Sequence, residues 1–167
     1  MPTPSMVRPM PHRDHEPFIL NYTLEPGAQF SKPQHPGDVG YDLHAYRPPA
    51  STEIRLDRLG QVVTIRTGLR IEFPFGFEAQ VRPRSSMNKR GLLVSLGTID
   101  AGYRGDVSVI VTRVGWNMAL PDPQAPIRHG DRIAQLVFSR AEFPVCRHVP
   151  GLSSSARGER GFGSTGR

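Results

Sequence analysis

From Phe18 onward the apolar residues of this chain come in short stretches separated by turn residues, and that interruption constrains its fold more than any other feature. The stretches are Ile19–Leu24, Tyr41–Ala45, Gln61–Arg66, Leu69–Phe73, Phe77–Val81, Leu92–Leu96, Val107–Thr112 and Arg132–Phe138. Runs of this length at such intervals read as strands of a sandwich or barrel-like fold. The 17 glycines and 17 prolines, against a 37% hydrophobic content, suit many turns better than long helices. Pro74-Phe75-Gly76 is predicted as a tight turn between two strands. One short helix is predicted over Ser85–Arg90, where Ser85 is placed to cap it and Gly91 to end it. Residues 115 to 130, with Trp116 and Gly130, make a long connection. No internal repeat is present. At 167 residues one core is expected. It is assigned to residues 18–150, between a disordered proline-rich tail over residues 1–17 and a flexible glycine-rich arm over 151–167.

The formal charge of +6 fits nucleic acid, an anionic surface or a polyanionic small substrate without choosing among them. All but Lys32 and Lys89 of the 21 basic residues are arginine, and they are scattered, with no block or aromatic-interleaved stripe of the kind that lines a nucleic-acid groove. No apolar run approaches the roughly 20 residues of a membrane helix, and no signal-peptide core follows Met1. A cytoplasmic protein with no membrane partner is expected. Cys146 is the only cysteine, which excludes an intrachain disulfide and a thiolate cluster, and the histidines show no HxH or HExxH spacing.

The last segment, Arg157-Gly158-Glu159-Arg160-Gly161-Phe162-Gly163-Ser164-Thr165-Gly166, has too little apolar surface to fold alone. Its glycines let backbone N–H groups approach phosphate oxygens, Arg157, Ser164 and Thr165 supply donors, and Phe162 offers a stacking ring. Four further segments accompany it: Gly37-Asp38-Val39-Gly40-Tyr41-Asp42-Leu43, Arg82-Pro83-Arg84-Ser85-Ser86, Gly97-Thr98-Ile99-Asp100-Ala101-Gly102-Tyr103-Arg104-Gly105 and Gly130-Asp131-Arg132-Ile133-Ala134-Gln135-Leu136. In this order the five closely resemble the motifs of the trimeric dUTPases, and Thr67-Gly68 with Pro74-Phe75-Gly76 resembles that family's segment before its second motif. The resemblance runs from about Phe18 to Gly166. It implies an all-β, distorted jelly-roll or β-clip-like barrel with one short helix, assembled as a homotrimer whose flexible C-terminal arm closes over sites at subunit interfaces.

The implied reaction is dUTP plus water giving dUMP and pyrophosphate, with Mg²⁺ on the phosphate chain and no nucleic acid required. Such a reaction needs a base for the attacking water and donors for the phosphate charge. Asp100, before a glycine-containing turn, takes by resemblance the role of the catalytic base for attack at the α-phosphate; standing alone it would be a turn residue. Tyr103 would lie against the deoxyribose and leave no room for a 2′-hydroxyl. The uracil would sit in a tight β-hairpin running through Leu93–Gly97 to Ile99 and be read mainly by backbone groups, with Gly97 among them. Arg84, Ser85 and Ser86 form a donor cluster, and Gln135 is implied as a phosphate-chain contact. Asp42 would face Mg²⁺ through a coordinated water. In the arm, Phe162 would stack on the base while Arg157, Gly163, Ser164 and Thr165 enclose the outer phosphates.

The chain departs from that pattern in places. The spacing from Arg84 to Asp100 is about one residue shorter than in the human-type enzymes, and Ser86-Met87 replaces a common Gly-Leu. Gly102 stands where many members have a second Asp, Arg160 where the arm usually has Gly, and the loop from Gly115 to Pro126 is extended. Two other functions remain open at this point. A dCTP deaminase of the same fold shares the Arg-Ser-Ser and Ile-Asp segments, but it requires a Glu where this chain has Ile110 and usually carries Trp in place of Tyr103. A non-enzymatic regulatory or binding protein would keep the fold and use the extended loop.

Overall fold

The computed structural model describes residues 17–49, 52–120, 122, 124–156 and 158. Among them the architecture is mostly β: β1 (Asn21–Leu24), β2 (Phe30–Ser31), β3 (Tyr41–His44), β4 (Val62–Arg66), β5 (Leu69–Glu72), β6 (Phe77–Pro83), α1 (Ser85–Lys89), β7 (Leu92–Val94), β8 (Gly97–Asp100), β9 (Ser108–Arg113) and β10 (Arg132–Arg140). All eight predicted stretches contain a strand, with ends moved by a residue or two. The strands form a two-stranded sheet β1-β5, a five-stranded sheet β2-β3-β10-β6-β8 and a three-stranded sheet β4-β9-β7, every pair antiparallel. The ladders form a jelly-roll-like stack of sheets and do not close into a barrel.

Alternation explains the layering. In β6 the residues Ala79 and Val81 point inward while Glu78, Gln80 and Arg82 point outward. In β9, Val109 and Val111 are buried and Ile110 is exposed. Leu43, Ala79, Val81 and Leu136 from the five-stranded sheet share one core with Ile65, Leu92, Val94, Val109 and Val111 from the three-stranded sheet. Truncating a fully buried leucine such as Leu43 is expected to cost about 2–5 kcal/mol. An aromatic cluster centred on Phe138, with Phe18, Tyr41 and Phe73 at ring distances of 5.3, 5.7 and 5.4 Å, closes one end.

Two local expectations change. Arg84, not Ser85, is the N-cap of α1, and no side chain caps the helix. Gly91 does end it, at φ +70°. The Leu93–Ile99 segment is not a hairpin paired with itself, because β7 joins β9 in one sheet and β8 joins β6 in the other. The chain crosses between sheets at Ser95-Leu96, and the burial of Leu92 and Val94 in the shared core drives that division.

Candidate active site

β8 is the edge strand of the five-stranded sheet. Among the described residues it pairs with β6 on one side only, so its other edge presents main-chain groups that no described strand occupies. Beside that edge lies a cavity of about 260 Å³ lined by Val81, Gly97, Thr98, Ile99, Asp100, Tyr103, Asp106, Val107 and Ser108. Gly97, Asp100 and Tyr103 thus meet in one hollow. The turn after β8 is closed by the Tyr103 N–H donating to the Asp100 carbonyl at 3.0 Å. The Tyr103 hydroxyl donates to the Asp106 carbonyl at 3.1 Å. A Cβ on Gly105 would lie 2.3 Å from the Tyr103 hydroxyl, so glycine there lets the ring lie down over the turn. Among the described residues the Asp100 carboxylate makes no ion pair or hydrogen bond, and the residue is exposed.

Asp106 was not singled out in the sequence, yet it anchors this wall. Its carboxylate accepts from the Thr67 N–H at 3.3 Å, the Ser108 hydroxyl at 3.2 Å and the Arg66 guanidinium at 3.1 Å. Its signal was its place directly after the Tyr-Arg-Gly motif.

A second cavity, about 350 Å³, is lined by Lys32, Pro33, Gln34, His35, Asp38, Val39, Gly40, Asp42, Arg84, Arg132 and Gln135. Here the structure brings Asp42, Arg84 and Gln135 together from three motifs. Asp42 is ion-paired with Arg84 and, at 3.5 Å, with Arg132. Burial first, and then the charge of Arg132, pulls the Arg84 guanidinium below its ordinary pKa; an arginine remains charged there all the same. The Arg84 Nε is buried without a hydrogen-bond partner. Gly40 lies beneath Gln135, whose carboxamide carbon would be 2.9 Å from a Cβ at that position. Ser85 and Ser86 are exposed on the first turn of α1 and line neither cavity. Lys32 and Arg132 are cations that sequence reasoning left without a role. Arg157, Phe162, Gly163, Ser164 and Thr165, and with them the arm's expected contacts, lie outside the described residues.

By register Asp42 and Gln135 of the second cavity and Asp100 of the first share the outward face of the same sheet. Register places Asp42 opposite Gln135 and Gln135 opposite Arg82, while Glu78 lies opposite Asp100. A polar ladder connects the ends: Arg82 Nη2 donates to Gln80 Oε1 at 2.9 Å, and Gln80 Nε2 donates to Glu78 Oε1 at 2.6 Å. Arg82 and Glu78 are four residues apart on β6, about 13 Å at the usual strand rise. Within one chain the Asp100 carboxylate is therefore well beyond hydrogen-bond reach of the Asp42–Gln135 row.

The donor set also speaks to a metal. Asp42, already paired with two arginines, and Asp38 on the same cavity make no closed cage, and no group of three His, Cys, Asp or Glu gathers among the described residues. Magnesium, however, is commonly held by one or two carboxylates plus substrate phosphates and its own waters. Asp42 suits an ion that arrives on a phosphate chain and competes with the arginines for the carboxylate.

Cations for a phosphate chain at one end of a sheet face, and an unengaged carboxylate beside a main-chain-edged hollow at the other, are what a nucleotide-hydrolysing β protein requires. Comparison with known proteins agrees. The family model described as dUTPase matches residues 27–166. A deoxyuridine 5′-triphosphate nucleotidohydrolase of Thermobifida fusca is 41% identical over 148 residues, covering 86% of this chain and 75% of that one. One from Mycobacterium tuberculosis is 39% identical over 153 residues, covering 86% and 91%. In structure, the dUTPase of Staphylococcus bacteriophage 80alpha with dUpNHpp superposes with a TM-score of 0.71 at 26% identity, covering 89% of this chain and 99% of that one. A point mutant of the dUTPase from phage phi11 of S. aureus, described with a structural Mg(II) ion, shares the fold at a TM-score of 0.66 and 22% identity, over 81% and 99% of the two chains. The chain belongs to the dUTPase family.

Proposed function

We propose that this protein hydrolyses dUTP to dUMP and pyrophosphate, limiting uracil incorporation into DNA and supplying dUMP for dTMP synthesis. The observation that carries the chemistry is the pairing, on one sheet face, of an unengaged Asp100 beside the β8 hollow with the Arg84–Gln135 trough. Uracil occupies the hollow and bonds to the open edge of β8 near Gly97, where strand-like main chain presents alternating donors and acceptors to a base edge. Tyr103 packs on the sugar and excludes a 2′-hydroxyl. Arg84 and Gln135 hold the phosphates in the trough, and Ser85 and Ser86 donate to them from the exposed first turn of α1 outside it. Asp100 accepts a proton from water as the water oxygen bonds to the α-phosphorus, and the bond from that phosphorus to the α,β-bridging oxygen breaks to release pyrophosphate. Mg²⁺ bound through Asp42, by way of a water, would neutralise phosphate charge.

The 13 Å scale of the separation within one chain supports a site shared between copies, and so a homotrimer. Two apolar surfaces favour the same assembly. Val62 and Leu93 flank Thr112 on the outer face of the three-stranded sheet, next to Ile110, and all three hydrophobics are exposed. The extended segment 141–156 carries Phe143, Val145 and Leu152 at 73%, 97% and 92% exposure, surface that a single chain leaves in water. The glycine-rich arm, with Arg157, Phe162, Gly163, Ser164 and Thr165, would complete the enclosure over the nucleotide. Among the described residues no helix is long and apolar enough to cross a membrane; we place the enzyme in the cytoplasm, where its nucleotide substrate is found. Deamination is not favoured, since Ile110 lies on the outer face of β9 and does not line the hollow.

Pyrophosphate release should be measured with dUTP, dTTP, dCTP and UTP, alongside sedimentation at micromolar concentration. Cleavage confined to dUTP by a trimer is expected. Equal turnover of dTTP or UTP would refute the base and sugar assignments, and an active monomer would refute the shared site.

A further inference from the structure

We infer that Arg113, a buried arginine outside every recognised motif, is a positioning residue for the phosphate trough and acts through the C-terminal end of α1. The role rests on that trough being the phosphate site.

Five residues of helix cannot hold their own direction in water, since one turn barely meets the cost of nucleation. Something must fix α1, because its N-cap is Arg84, the residue that reaches Asp42 in the trough. Arg113 is 2% exposed, and no carboxylate lies within salt-bridge distance of its guanidinium among the described residues. Burial first, and then the nearby Arg90 charge, lowers its pKa, with Asp57 opposing. A cation kept in so unfavourable a place needs acceptors, and its fork finds three carbonyls. Nε donates to Leu56 at 3.0 Å, and Nη1 donates to Arg90 at 2.7 Å and to Gly115 at 3.1 Å. The Trp116 ring lies 5.5 Å from the guanidinium carbon and covers it.

Arg90 is the C-cap of α1, so the bond to its carbonyl begins a continuous path. The Arg90 N–H donates to Met87 at 3.0 Å, and the Met87 N–H donates to the Arg84 carbonyl at 3.1 Å. Two further contacts brace the same end. The Val114 N–H donates to the Gly91 carbonyl at 2.9 Å, and a Cβ on Gly91 would fall 2.1 Å from the Gly115 carbonyl oxygen. The helix is thus clamped at its C-terminal end, while Arg84 at the other end follows directly on Pro83, the last paired residue of β6, so the two ends together fix the direction of its side chain. Lysine at position 113 keeps the charge but cannot reproduce a planar fork serving three acceptors.

The test compares two probes on the full chain: dUpNHpp, which needs both hollow and trough, and deoxyuridine, which needs only the hollow. For Arg113→Lys, dUpNHpp binding is expected to weaken about tenfold, the loss of one good interaction, while deoxyuridine binding stays as in the wild type. Equal weakening of both probes would mean general loosening of the fold and would overturn the inference, as would no change in either. Arg84→Met serves as the reference. If it weakens dUpNHpp and Arg113→Lys does not, the inference fails alone; if Arg84→Met has no effect, the trough is not the phosphate site and both fail. Should Arg113→Lys not fold, Arg113→Gln takes its place. Failure of both to fold would assign Arg113 to the stability of the core and overturn the positioning role.

Discussion

The hollow beside β8 and the trough around Asp42 lie along one sheet, yet they are built on opposite terms. The hollow lies against an open strand edge with Val81, Ile99 and Val107 in its wall, its Asp100 carboxylate is unengaged among the described residues, and its aromatic side chain, Tyr103, is held by the Asp106 carbonyl and by the absence of a side chain on Gly105. The trough is made of charges that already neutralise one another, with Asp42 between Arg84 and Arg132. A base of fixed shape can be recognised by a prebuilt edge at little ordering cost, whereas a highly charged phosphate chain must displace existing ion pairs. On the proposed function, the first region would set which nucleotide binds and the second how tightly its phosphates are held.

The largest expected effect separates chemistry from binding in the hollow. Asp100→Asn preserves the strand pairing with Glu78 and relieves a like-charge pair across β6 and β8, so folding and dUpNHpp affinity should persist. Turnover should fall by about 10²- to 10⁴-fold through loss of the base. Single-turnover rates near those of the wild type would move the base elsewhere. Next in size, Tyr103→Ala should shift the dUTP/UTP preference by up to about 10²-fold, the scale at which a pocket rejects one added hydroxyl. Competition assays with mixed nucleotides measure that ratio directly, and an unchanged value would remove Tyr103 as the sugar filter.

The two regions also differed in how far the sequence revealed them. Asp100, Tyr103 and Gly97 fall within nine consecutive residues, so a local motif brought the hollow's lining together before any fold was known. Asp42, Arg84 and Gln135 were each legible as motif residues, but the ion pairs that occupy Asp42 arise from β3, the start of α1 and β10, and only tertiary structure joins them. The strands were legible where burial alternates. β2 escaped because two residues carry no period, and β8 because only Ile99 of its four residues is buried. The division of β7 and β8 between two sheets depends on partners distant in sequence, whereas the family resemblance implied a single hairpin there. Arg113 escaped for a related reason: a lone arginine at a strand end has no pattern, and its partners are carbonyls, which every sequence contains.

The trough supports a third expectation, of intermediate size. Asp42→Asn removes the carboxylate that opposes Arg84 and also the group suited to a phosphate-borne metal. Without Mg²⁺, binding of dUpNHpp should hold or improve, because Arg84 is no longer neutralised. With Mg²⁺ the usual gain in affinity should shrink by about tenfold, the lower end for a lost charged interaction. Paired titrations with and without the ion read both effects, and a gain equal to that of the wild type would mean that Asp42 does not face the metal.

The smallest effect probes the support beneath Gln135. Gly40 does not have the positive φ that makes alanine costly, so Gly40→Ala should leave the fold and its melting temperature nearly unchanged. The added methyl nevertheless meets the Gln135 carboxamide at about 3 Å, and that flexible end must swing away. One phosphate hydrogen bond is lost or lengthened, at about 0.5–1.5 kcal/mol net, which corresponds to a rise in KM of roughly 2- to 10-fold. The dUTP/UTP ratio should not move, because Gly40 and Gln135 belong only to the trough and no residue lines both cavities. Gln135→Ala supplies the comparison: the two variants should weaken dUpNHpp to a similar degree, and combining them should add little, since both remove one contact. If Gly40→Ala instead altered discrimination between dUTP and UTP, the division of labour between hollow and trough would be wrong, and the sheet face would have to be treated as one coupled site.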